Sequence, residues 1–293
     1  MNRRHRKLLL TGSAGHLGSR VAQLADKWVL THSWHSNPPD PNLPGTAVRV
    51  DLCDAQAVNT IISQQRPAAI IHTACSNRSE TAIVPAARNL AAAAAEHSVR
   101  LVHVSTDMVL DGKQAPYRDS ADTNPVHTYG EAKAVAEISI SSSYPQASIV
   151  RTSLIFGIEP LDHQTHWLAI DTAAGKPVCL FTDELRCPIW VDTLAQALLE
   201  LAAGDYTGVL NVASPEALNR WEFGMKMLGL LGVEPGANVR PGLQADSDLI
   251  RPANLTLDVS RAQRLLRTPL LTVDEAIERI RRGRRPSAHH VVD

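Results

Sequence analysis

The sequence lacks several features that would assign it to particular protein classes. No apolar run approaches the ~18 residues of a membrane-spanning helix, so no membrane association is predicted. The formal net charge is −1, so no overall electrostatic field draws the chain to nucleic acid. The start of the chain offers only LLL before a turn, which is too short for a signal peptide, so we expect a cytoplasmic location.

Cysteine and aromatic residues are also sparse. The four cysteines are scattered without a CxxC pair, which argues against a disulfide framework and against a structural zinc site; they are Cys53, Cys75, Cys179 and Cys187. We expect no bound metal. Aromatic residues make up 4% of the chain, against 44% for hydrophobic residues in general, which is an ordinary globular composition. A length of 293 residues suits one large domain or two smaller ones that share a core.

Short apolar strands alternate with helix-prone segments over the first half of the chain. Six segments read as strands: KLLLT, KWVLTHSW, TAVRVDLCD, AAIIHTAC, RLVHVSTD and ASIVRTSLIFG. Between the fourth and fifth strands, PAARNLAAAAAEH predicts a helix with Pro85 in its first turn. This alternation predicts an α/β fold with a doubly wound parallel sheet of the Rossmann type.

The pattern becomes less regular after Gly157. We predict a Rossmann domain over residues 1–156, with a returning segment at about 188–213 that ends in the buried strand GVLNVAS. Residues 157–187 and 214–293 are expected to form a smaller, interleaved substrate-binding region. Two helices there carry capping-box signatures, Asn219 with Glu222 and Thr272 with Glu275.

Three glycines follow the first strand and open the first helix. Gly12 suits a tight turn, Gly15 lets the backbone approach a diphosphate, and Gly18 lets the helix pack on the strand. The free N–H groups of a helix start bind phosphate. The pattern therefore predicts dinucleotide binding, and the other cofactor candidates in the turn are Ser13, His16 and Leu17.

The end of the second strand bears on the choice of dinucleotide. NAD sites often place a carboxylate there, but this chain has none in residues 32–36. A carboxylate would repel a 2′-phosphate, whereas His35 and Ser36 would not, and Arg20 is a further candidate contact. NADP(H) is therefore preferred; alternatively, the histidines are ordinary surface residues and NAD(H) binds as well.

Tyr129 stands four residues before Lys133 in the helix-prone stretch HTYGEAKAVAE. Residues i and i+4 share a helix face, so the phenol and the ammonium can meet. A nearby cation lowers the pKa of a phenol, which would let Tyr129 donate a proton to a carbonyl oxygen while hydride reaches the carbon. Alternatively, the helix is exposed and the spacing of the tyrosine and the lysine has no functional meaning.

Ser105 and Thr106 end the fifth strand. In an open α/β sheet the ligand crevice lies outside the carboxyl ends of the strands, where a hydroxyl can hydrogen-bond a substrate oxygen. The alternative, which is at least as strong for Ser105, is that the two residues merely begin a turn.

The stretches TGSAGHLG, STDMVLDG, YGEAK and VRTSLIFG, in this order, carry a family resemblance. Over roughly residues 6 to 280 the chain resembles the extended short-chain dehydrogenase/reductases, and within these the dTDP-4-dehydrorhamnose reductase group. The resemblance implies a Rossmann domain, NAD(P)H, and reduction of a keto group on a nucleotide-linked sugar. It also implies a catalytic trio of Thr106, Tyr129 and Lys133, in which Lys133 binds the cofactor ribose.

The resemblance implies further contacts at the strand ends. Asp51 and Leu52 match positions at the adenine, and Ala74 and Cys75 match the segment beside the cofactor ribose and phosphates. Three residues match the stretch beside nicotinamide: Arg151, Thr152 and Ser153. Arg186 is similar to an arginine that faces the nucleotide-sugar; alternatively, it is a surface arginine paired with Asp183 or Glu184.

The chain departs from the reductase group at aromatic positions near the sugar. Met108, Leu110 and Leu154 replace aromatic residues there, and only Phe156 keeps a ring. Met108 and Leu154 can therefore offer a substrate apolar contact but no stacking face. Ile83 stands where the group has an asparagine. These changes put a rhamnose-pathway substrate in doubt and leave the hydride chemistry intact.

A second function of a different class stays open. The regulatory subunit of methionine adenosyltransferase resembles the reductases, so this chain could be a dinucleotide-loaded subunit without turnover. The residues also leave open whether the chain forms a homodimer. The alanine-rich helix at residues 86–95 suits either an interface or an ordinary buried helix.

Overall fold

The computed structural model describes residues 6–75, 80–247 and 251–283. Within these ranges no helix is both long and apolar enough to cross a bilayer. All four cysteines lie in the described ranges and have free thiols.

Thirteen strands and nine helices are described. The strands are β1 (Arg6–Thr11), β2 (Trp28–Trp34), β3 (Thr46–Arg49), β4 (Ala69–His72), β5 (Arg100–Thr106), β6 (Ser148–Thr152), β7 (Ile155–Phe156), β8 (Val178–Phe181), β9 (Leu185–Arg186), β10 (Ile189–Trp190), β11 (Gly208–Asn211), β12 (Leu218–Asn219) and β13 (Val239–Gly242). The helices are α1 (His16–Leu24), α2 (Ala55–Gln65), α3 (Glu80–Glu96), α4 (Thr128–Ser143), α5 (His163–Ala173), α6 (Val191–Ala203), α7 (Arg220–Leu231), α8 (Ser260–Leu265) and α9 (Val273–Gly283).

Seven of the strands form one parallel sheet in the order β11-β6-β5-β4-β1-β2-β3. This order confirms the predicted doubly wound α/β fold. The strand predicted from GVLNVAS is β11, which returns to the sheet beside β6. Because β1 is the central point at which the winding reverses, the ends of β1 and β4 flank a crevice.

Both faces of the sheet are covered, and β1 shows why. Its side chains alternate, so that Leu8 and Leu10 join the core under α1 and α6, while Leu9 joins the core under α2, α3 and α4. Strands buried on both faces need apolar residues at every position, as in KLLLT. This is the physical reason why the strands could be predicted from short apolar runs.

The predicted helix caps are confirmed. The Asn219 side chain accepts from the Glu222 backbone at 2.8 Å, and the Glu222 carboxylate accepts from the Asn219 backbone at 3.0 Å. Thr272 and Glu275 make the same reciprocal pair at 2.8 and 3.3 Å. Both helices therefore begin where the sequence predicts.

The predicted start of α3 is wrong. The helix begins at Glu80, so Pro85 lies inside it and not in its first turn. A proline in a helix interior lacks an N–H donor and usually ends the helix. Here Ile83, Ala87 and Leu90 are buried on one face of α3, and this packing keeps the helix continuous through the proline.

Residues after Gly157 interleave with the main sheet. Three two-stranded sheets pair β7 with β10, β8 with β13, and β9 with β12. A small core forms around Phe156, Phe223 and Ile277, with Phe156 and Phe223 packed edge to face at 5.6 Å between ring centroids. Between these pieces the chain returns to the main sheet through α6 and β11.

Candidate active site

Five strand ends with predicted site residues meet at one edge of the sheet. Because β1, β2, β4, β5 and β6 are parallel, their carboxyl ends lie at the same edge. This edge holds the glycine turn after β1, His35 after β2, Cys75 after β4, Thr106 at the end of β5 and Ser153 after β6. The topology therefore collects the predicted residues at the place where open α/β sheets bind ligands.

Two of the three glycines are required by the backbone itself. Gly12 has φ +80°, and a Cβ on it would lie 2.7 Å from the Ala74 backbone. A Cβ on Gly18 would lie 2.1 Å from the Gly12 carbonyl oxygen. These positions fix a tight turn with α1 packed closely against it.

Gly15 differs, because a Cβ on it would meet only the Gly12 carbonyl oxygen, at 3.4 Å. Gly15 is also the N-cap of α1, and no side chain caps the first turn of that helix. The N–H groups at the start of α1 therefore stay available to an anion. The turn fits the diphosphate of a dinucleotide on these two grounds.

The three other candidate residues of this segment, Ser13, His16 and Leu17, direct their side chains toward the protein. The Ser13 hydroxyl donates to the Ser33 carbonyl at 3.3 Å and lies 2.9 Å from Nδ1 of His32. Leu17 is buried in the core. The His16 ring lies against Gly157, and its two ring nitrogens are buried without hydrogen-bond partners in the described ranges. These three residues can therefore contact a cofactor through their backbone groups.

The end of β2 has no carboxylate of its own and lies beside the guanidinium of Arg49. His35 and Ser36 are exposed there. Arg49, at the end of β3, donates from Nε to the His35 carbonyl at 3.1 Å, and its guanidinium lies 5.7 Å from the centroid of the Trp34 ring. Asp51 approaches this group, with its carboxylate 3.9 Å from Nε2 of His35.

Arg20 does not join this group. Its guanidinium donates to both carboxylate oxygens of Asp192 on α6, at 2.5 Å each. The hydrogen bond to that carboxylate raises the pKa of Arg20. The structure therefore gives no support to the candidate contact between Arg20 and a 2′-phosphate.

The segments after β3 and β4 carry the residues predicted to contact adenine, ribose and phosphate. Asp51 accepts from the Cys53 backbone at 2.9 Å, and the Leu52 carbonyl accepts from Asn89 at 3.0 Å. The Ala74 backbone N–H lies 3.4 Å from the Thr11 hydroxyl, beside the glycine turn. Next to it, Cys75 is exposed. Hydrogen bonds thus hold the backbone of these segments in place where the resemblance puts the adenosine and the phosphates.

Helix α4 brings Tyr129 and Lys133 to the end of β5. A Cβ on Gly130 would lie 2.2 Å from the Met108 carbonyl oxygen, so the first turn of α4 sits directly on the turn that follows Thr106. Tyr129 is half-buried. Lys133 is buried, and its Nζ donates to the Val104 carbonyl at 2.6 Å. Burial lowers the pKa of Lys133, and the charges of Cys75 and Glu137 oppose this shift.

The two hydroxyls at the end of β5 have different environments. Thr106 is half-buried, and its Oγ1 accepts from the Met108 backbone at 3.2 Å as the cap of a short 3-10 turn. Ser105 is buried and donates to Glu137 at 2.5 Å. Glu137 also receives bidentate hydrogen bonds from Arg151, at 2.8 to 3.1 Å. The side chains of Ser105 and Arg151 thus belong to a buried network beneath the site.

Asp107 organises the polar cluster that contains Ser153 and Arg186, and sequence reasoning missed it. This fully buried carboxylate accepts from Ser153 at 2.6 Å and from Arg186 at 2.5 and 2.8 Å. Arg186 Nη1 lies 3.2 Å from the sulfur of Met108. Leu154, also a candidate, is buried beside Ser153. Asp107 follows Thr106 in the motif STD, and that adjacency is the signal that could have identified it.

Arg186 is buried, so its interpretation as a surface arginine is wrong, but the pairing with Glu184 that this interpretation named is present. Its second carboxylate neighbour is Glu184, at 3.6 Å. The buried Glu184 also pairs with Arg220 at 2.8 Å and with Arg251 at 3.3 Å. Three guanidiniums therefore meet two carboxylates, Asp107 and Glu184, which leaves an excess of one positive charge. Arg251 is the most exposed of the three, with 41% of its side chain accessible.

The chain resembles known proteins over most of its length. The family model described as RmlD substrate binding domain matches residues 6–283. Among curated proteins, the chain is 29% identical over 273 residues to a probable low-salt glycan biosynthesis reductase of Haloferax volcanii, covering 87% of this chain and 90% of that one. It is also 29% identical over 245 residues to the dTDP-4-keto-6-deoxy-D-glucose reductase of Streptomyces niveus, covering 80% and 81%.

A relative of another kind matches over a similar span. The chain is 26% identical over 287 residues to the methionine adenosyltransferase 2 subunit beta of Bos taurus, covering 89% of this chain and 83% of that one.

A solved structure of a hypothetical dTDP-4-dehydrorhamnose reductase from Sulfolobus tokodaii superimposes with a TM-score of 0.78 at 26% identity, covering 92% and 98%. A dTDP-4-dehydrorhamnose reductase from Bacillus anthracis, solved with NADP, has the same fold, with a TM-score of 0.80 at 21% identity, covering 96% and 100%.

Proposed function

The chain belongs to the RmlD substrate binding domain family, and on that premise we propose that it is an NADPH-dependent reductase of a keto group on a nucleotide-linked sugar. One observation carries the proposal. The first turn of α4, which contains Tyr129, sits on the turn after Thr106, and Lys133, one helical turn on, donates to the Val104 carbonyl near the end of β5. These are the groups that carbonyl reduction needs: a proton donor, a cation and a hydrogen-bond donor.

The cofactor would be held at the glycine turn and at the end of β2. The uncapped start of α1 would take the diphosphate, with Gly15 leaving room for it. Arg49, His35 and Ser36 would face the adenosine ribose, and the guanidinium supports NADP(H) over NAD(H) because it can pair with a 2′-phosphate. When bound, the nicotinamide supplies the hydride. NAD(H) stays an alternative, since Asp51 lies close to His35.

Three side chains would perform the proton chemistry. The Thr106 hydroxyl, which donates to the Asp107 carboxylate at 3.3 Å in this structure, would turn to donate to the carbonyl oxygen and orient it. Tyr129 would transfer its phenolic proton to that oxygen as negative charge develops there. Lys133 would bind the ribose hydroxyls, and its positive charge would lower the pKa of the phenol.

The substrate side combines charge with apolar contact. The excess positive charge at Arg186, Arg220 and Arg251 supports binding of an anionic group such as a sugar diphosphate, with Arg251 the most accessible of the three. Met108 and Leu154 would offer apolar surface to the sugar. We assign residues 157–187 and 214–293 to this substrate-binding region. The relative from Streptomyces niveus acts, by its name, on a dTDP-linked keto sugar, which supports the same class of substrate.

The test is transfer of deuteride from stereospecifically deuterated NADPH to a panel of nucleotide-linked keto sugars. We expect deuterium at one carbon of one product, with a single stereochemistry. Binding of NADPH without turnover of any member of the panel would argue against the proposal.

A second candidate function is a dinucleotide-binding subunit without turnover. The matches to methionine adenosyltransferase 2 subunit beta support it, because they span as much of the chain as the reductases do. If the protein binds NADPH, reduces nothing on the panel and co-purifies with another enzyme, this candidate is favoured. A homodimer and a cytoplasmic location stay predictions.

A further inference from the structure

Two buried histidines lie behind Lys133 on neighbouring strands. His72 ends β4 and is in register with His103 of β5, and Thr11 of β1 is in register with His72. The two imidazole rings are 5.0 Å apart between centroids. Each histidine is at most 3% exposed. A row of buried polar side chains therefore crosses three neighbouring strands of the sheet.

A hydrogen bond lies at each end of this row. Nδ1 of His72 lies 2.7 Å from the Thr11 hydroxyl, next to the glycine turn. Nε2 of His103 lies 3.3 Å from Nζ of Lys133. An ammonium has three donors and no acceptor, so His103 Nε2 must be the acceptor. The row thus runs from the residue before Gly12 to Lys133.

The acceptors that the described residues offer to the Lys133 ammonium are neutral. In the described part of the chain, its hydrogen-bond acceptors are the Val104 carbonyl and His103 Nε2. The nearby Glu137 is engaged by Arg151 and Ser105. Burial, together with the charge of Lys133, lowers the pKa of His72 to about 3 and the pKa of His103 well below its ordinary value, so both rings are neutral near pH 7.

We propose that His103 is a positioning residue for Lys133, with His72 and Thr11 supporting its ring. The Val104 carbonyl and His103 Nε2 take two of the three ammonium protons, which leaves one N–H for the cofactor ribose. This rests on the ribose-binding role that the proposed function gives to Lys133. The acceptor also stabilises the charged lysine, and that charge is what makes Tyr129 a better acid.

The arrangement dictates one tautomer of His103. If Nε2 accepts from Lys133, the ring proton is on Nδ1, which is buried and has no hydrogen-bond partner among the described residues. A buried donor without a hydrogen-bond partner is energetically costly. If His103 served packing alone, nothing would offset the cost of an unpaired Nδ1–H. Long-range ¹H–¹⁵N correlation spectra of the cofactor-free protein report the tautomer directly. We expect a protonated Nδ1, and a protonated Nε2 would overturn the proposal.

Substitution provides a second test. His103→Phe keeps a ring and removes the acceptor, whereas His103→Gln places an amide oxygen near the position of Nε2. The pKa of Lys133, measured by ¹³C NMR on labelled lysine, should fall by about one pH unit in the Phe variant, because a hydrogen bond to a charged group is lost. The Gln variant should restore most of that shift. Cys75 and Glu137, whose charges raise the pKa of Lys133, are unchanged in both variants, as are Tyr129 and His72.

Two readouts separate this proposal from the proposed function. The NMR measurements need neither cofactor nor substrate, so they stand if no keto sugar is reduced. In a protein that does turn over, His103→Phe should also shift the pH profile of kcat and weaken NADPH binding, while His103→Gln stays close to the original protein. An unchanged Lys133 pKa in a folded Phe variant would overturn the role of His103. If the Phe variant does not fold, the tautomer measurement on the unsubstituted protein decides.

Discussion

The α-carbon of Gly130 packs directly on the carbonyl oxygen of Met108. A Cβ at position 130 would lie 2.2 Å from that oxygen and 2.9 Å from the side chain of Pro125. Because Met108 belongs to the turn after Thr106, this contact sets the distance between the start of α4 and the end of β5. Residue 130 therefore controls where Tyr129 stands.

Gly130→Ala should displace the first turn of α4. The added methyl meets backbone, which cannot move aside cheaply, so we expect a loss of about 1–3 kcal/mol in the free energy of unfolding. A shift of about 1 Å at Tyr129 should lower kcat about 100-fold. Gly229→Ala in α7 is the control, because nothing lies within 4 Å of its added Cβ. A Gly130→Ala protein with normal kcat would contradict the positioning role.

Gly15→Val separates cofactor binding from folding. The position has φ −84°, which valine adopts, and its Cβ would meet only one carbonyl oxygen, at 3.4 Å. We expect stability to change by less than about 1 kcal/mol and the Kd for NADPH to rise at least about tenfold, because the side chain would occupy the diphosphate site. Gly204→Val, where the nearest atom is also 3.4 Å away, is the matched control. Equal NADPH affinity in both variants would place the diphosphate elsewhere.

Glu137→Gln should destabilise the protein by about 3 kcal/mol, because it leaves the guanidinium of Arg151 buried without its counter-charge. Both side chains are 4% exposed. The exposed pair of Glu278 and Arg282 provides a contrast, since Glu278→Gln should cost at most about 0.5 kcal/mol. Urea unfolding measures both changes. A similar small loss in the two variants would mean that the buried network does not hold α4 against β5 and β6.

Acid should destabilise the protein through its buried histidines. The pKa of His72 is about 3 in the folded state against 6.5 ordinarily, and the pKa of His103 is also depressed. The unfolded chain therefore binds more protons below pH 6.5, so this stability is complete above that pH and declines as pH falls toward 3. Each histidine contributes up to about 1.4 kcal/mol per pH unit.

His72→Asn removes one of these two proton uptakes. The free energy of unfolding, measured in urea at pH 7, 6 and 5, should therefore fall less steeply in the variant than in the unsubstituted protein. Parallel pH dependences in the two proteins would show that His72 is not neutral and buried in the folded state.

The fold could be predicted largely from sequence because its signals are local. Apolar runs such as KLLLT, the glycine turn and the capping boxes each act within a few residues. The start of α3 could not be predicted, because the packing of Ile83, Ala87 and Leu90 overrides the local preference of Pro85. Long-range packing leaves no signature in a short window of sequence.

The same distinction between local and long-range signals explains which site residues could be predicted. The strand ends and the Tyr129–Lys133 spacing could be predicted because topology and helix geometry bring them together. The partners of buried charges could not, since Asp107 and Arg186 are 79 residues apart and Glu137 and Arg151 meet across two elements. For the same reason, the row of Thr11, His72, His103 and Lys133 follows from strand register and is invisible in the linear sequence.

The central claim is that Tyr129 is the proton donor of a carbonyl reduction. Its most direct test is single-turnover hydride transfer from NADPH to a reactive nucleotide-linked keto sugar, compared between the unsubstituted protein and Tyr129→Phe. We predict that the rate falls at least about 100-fold while the Kd for NADPH stays within a factor of about two, because the phenol contributes acid catalysis and the ring stays in place. An unchanged hydride-transfer rate in Tyr129→Phe would contradict the account.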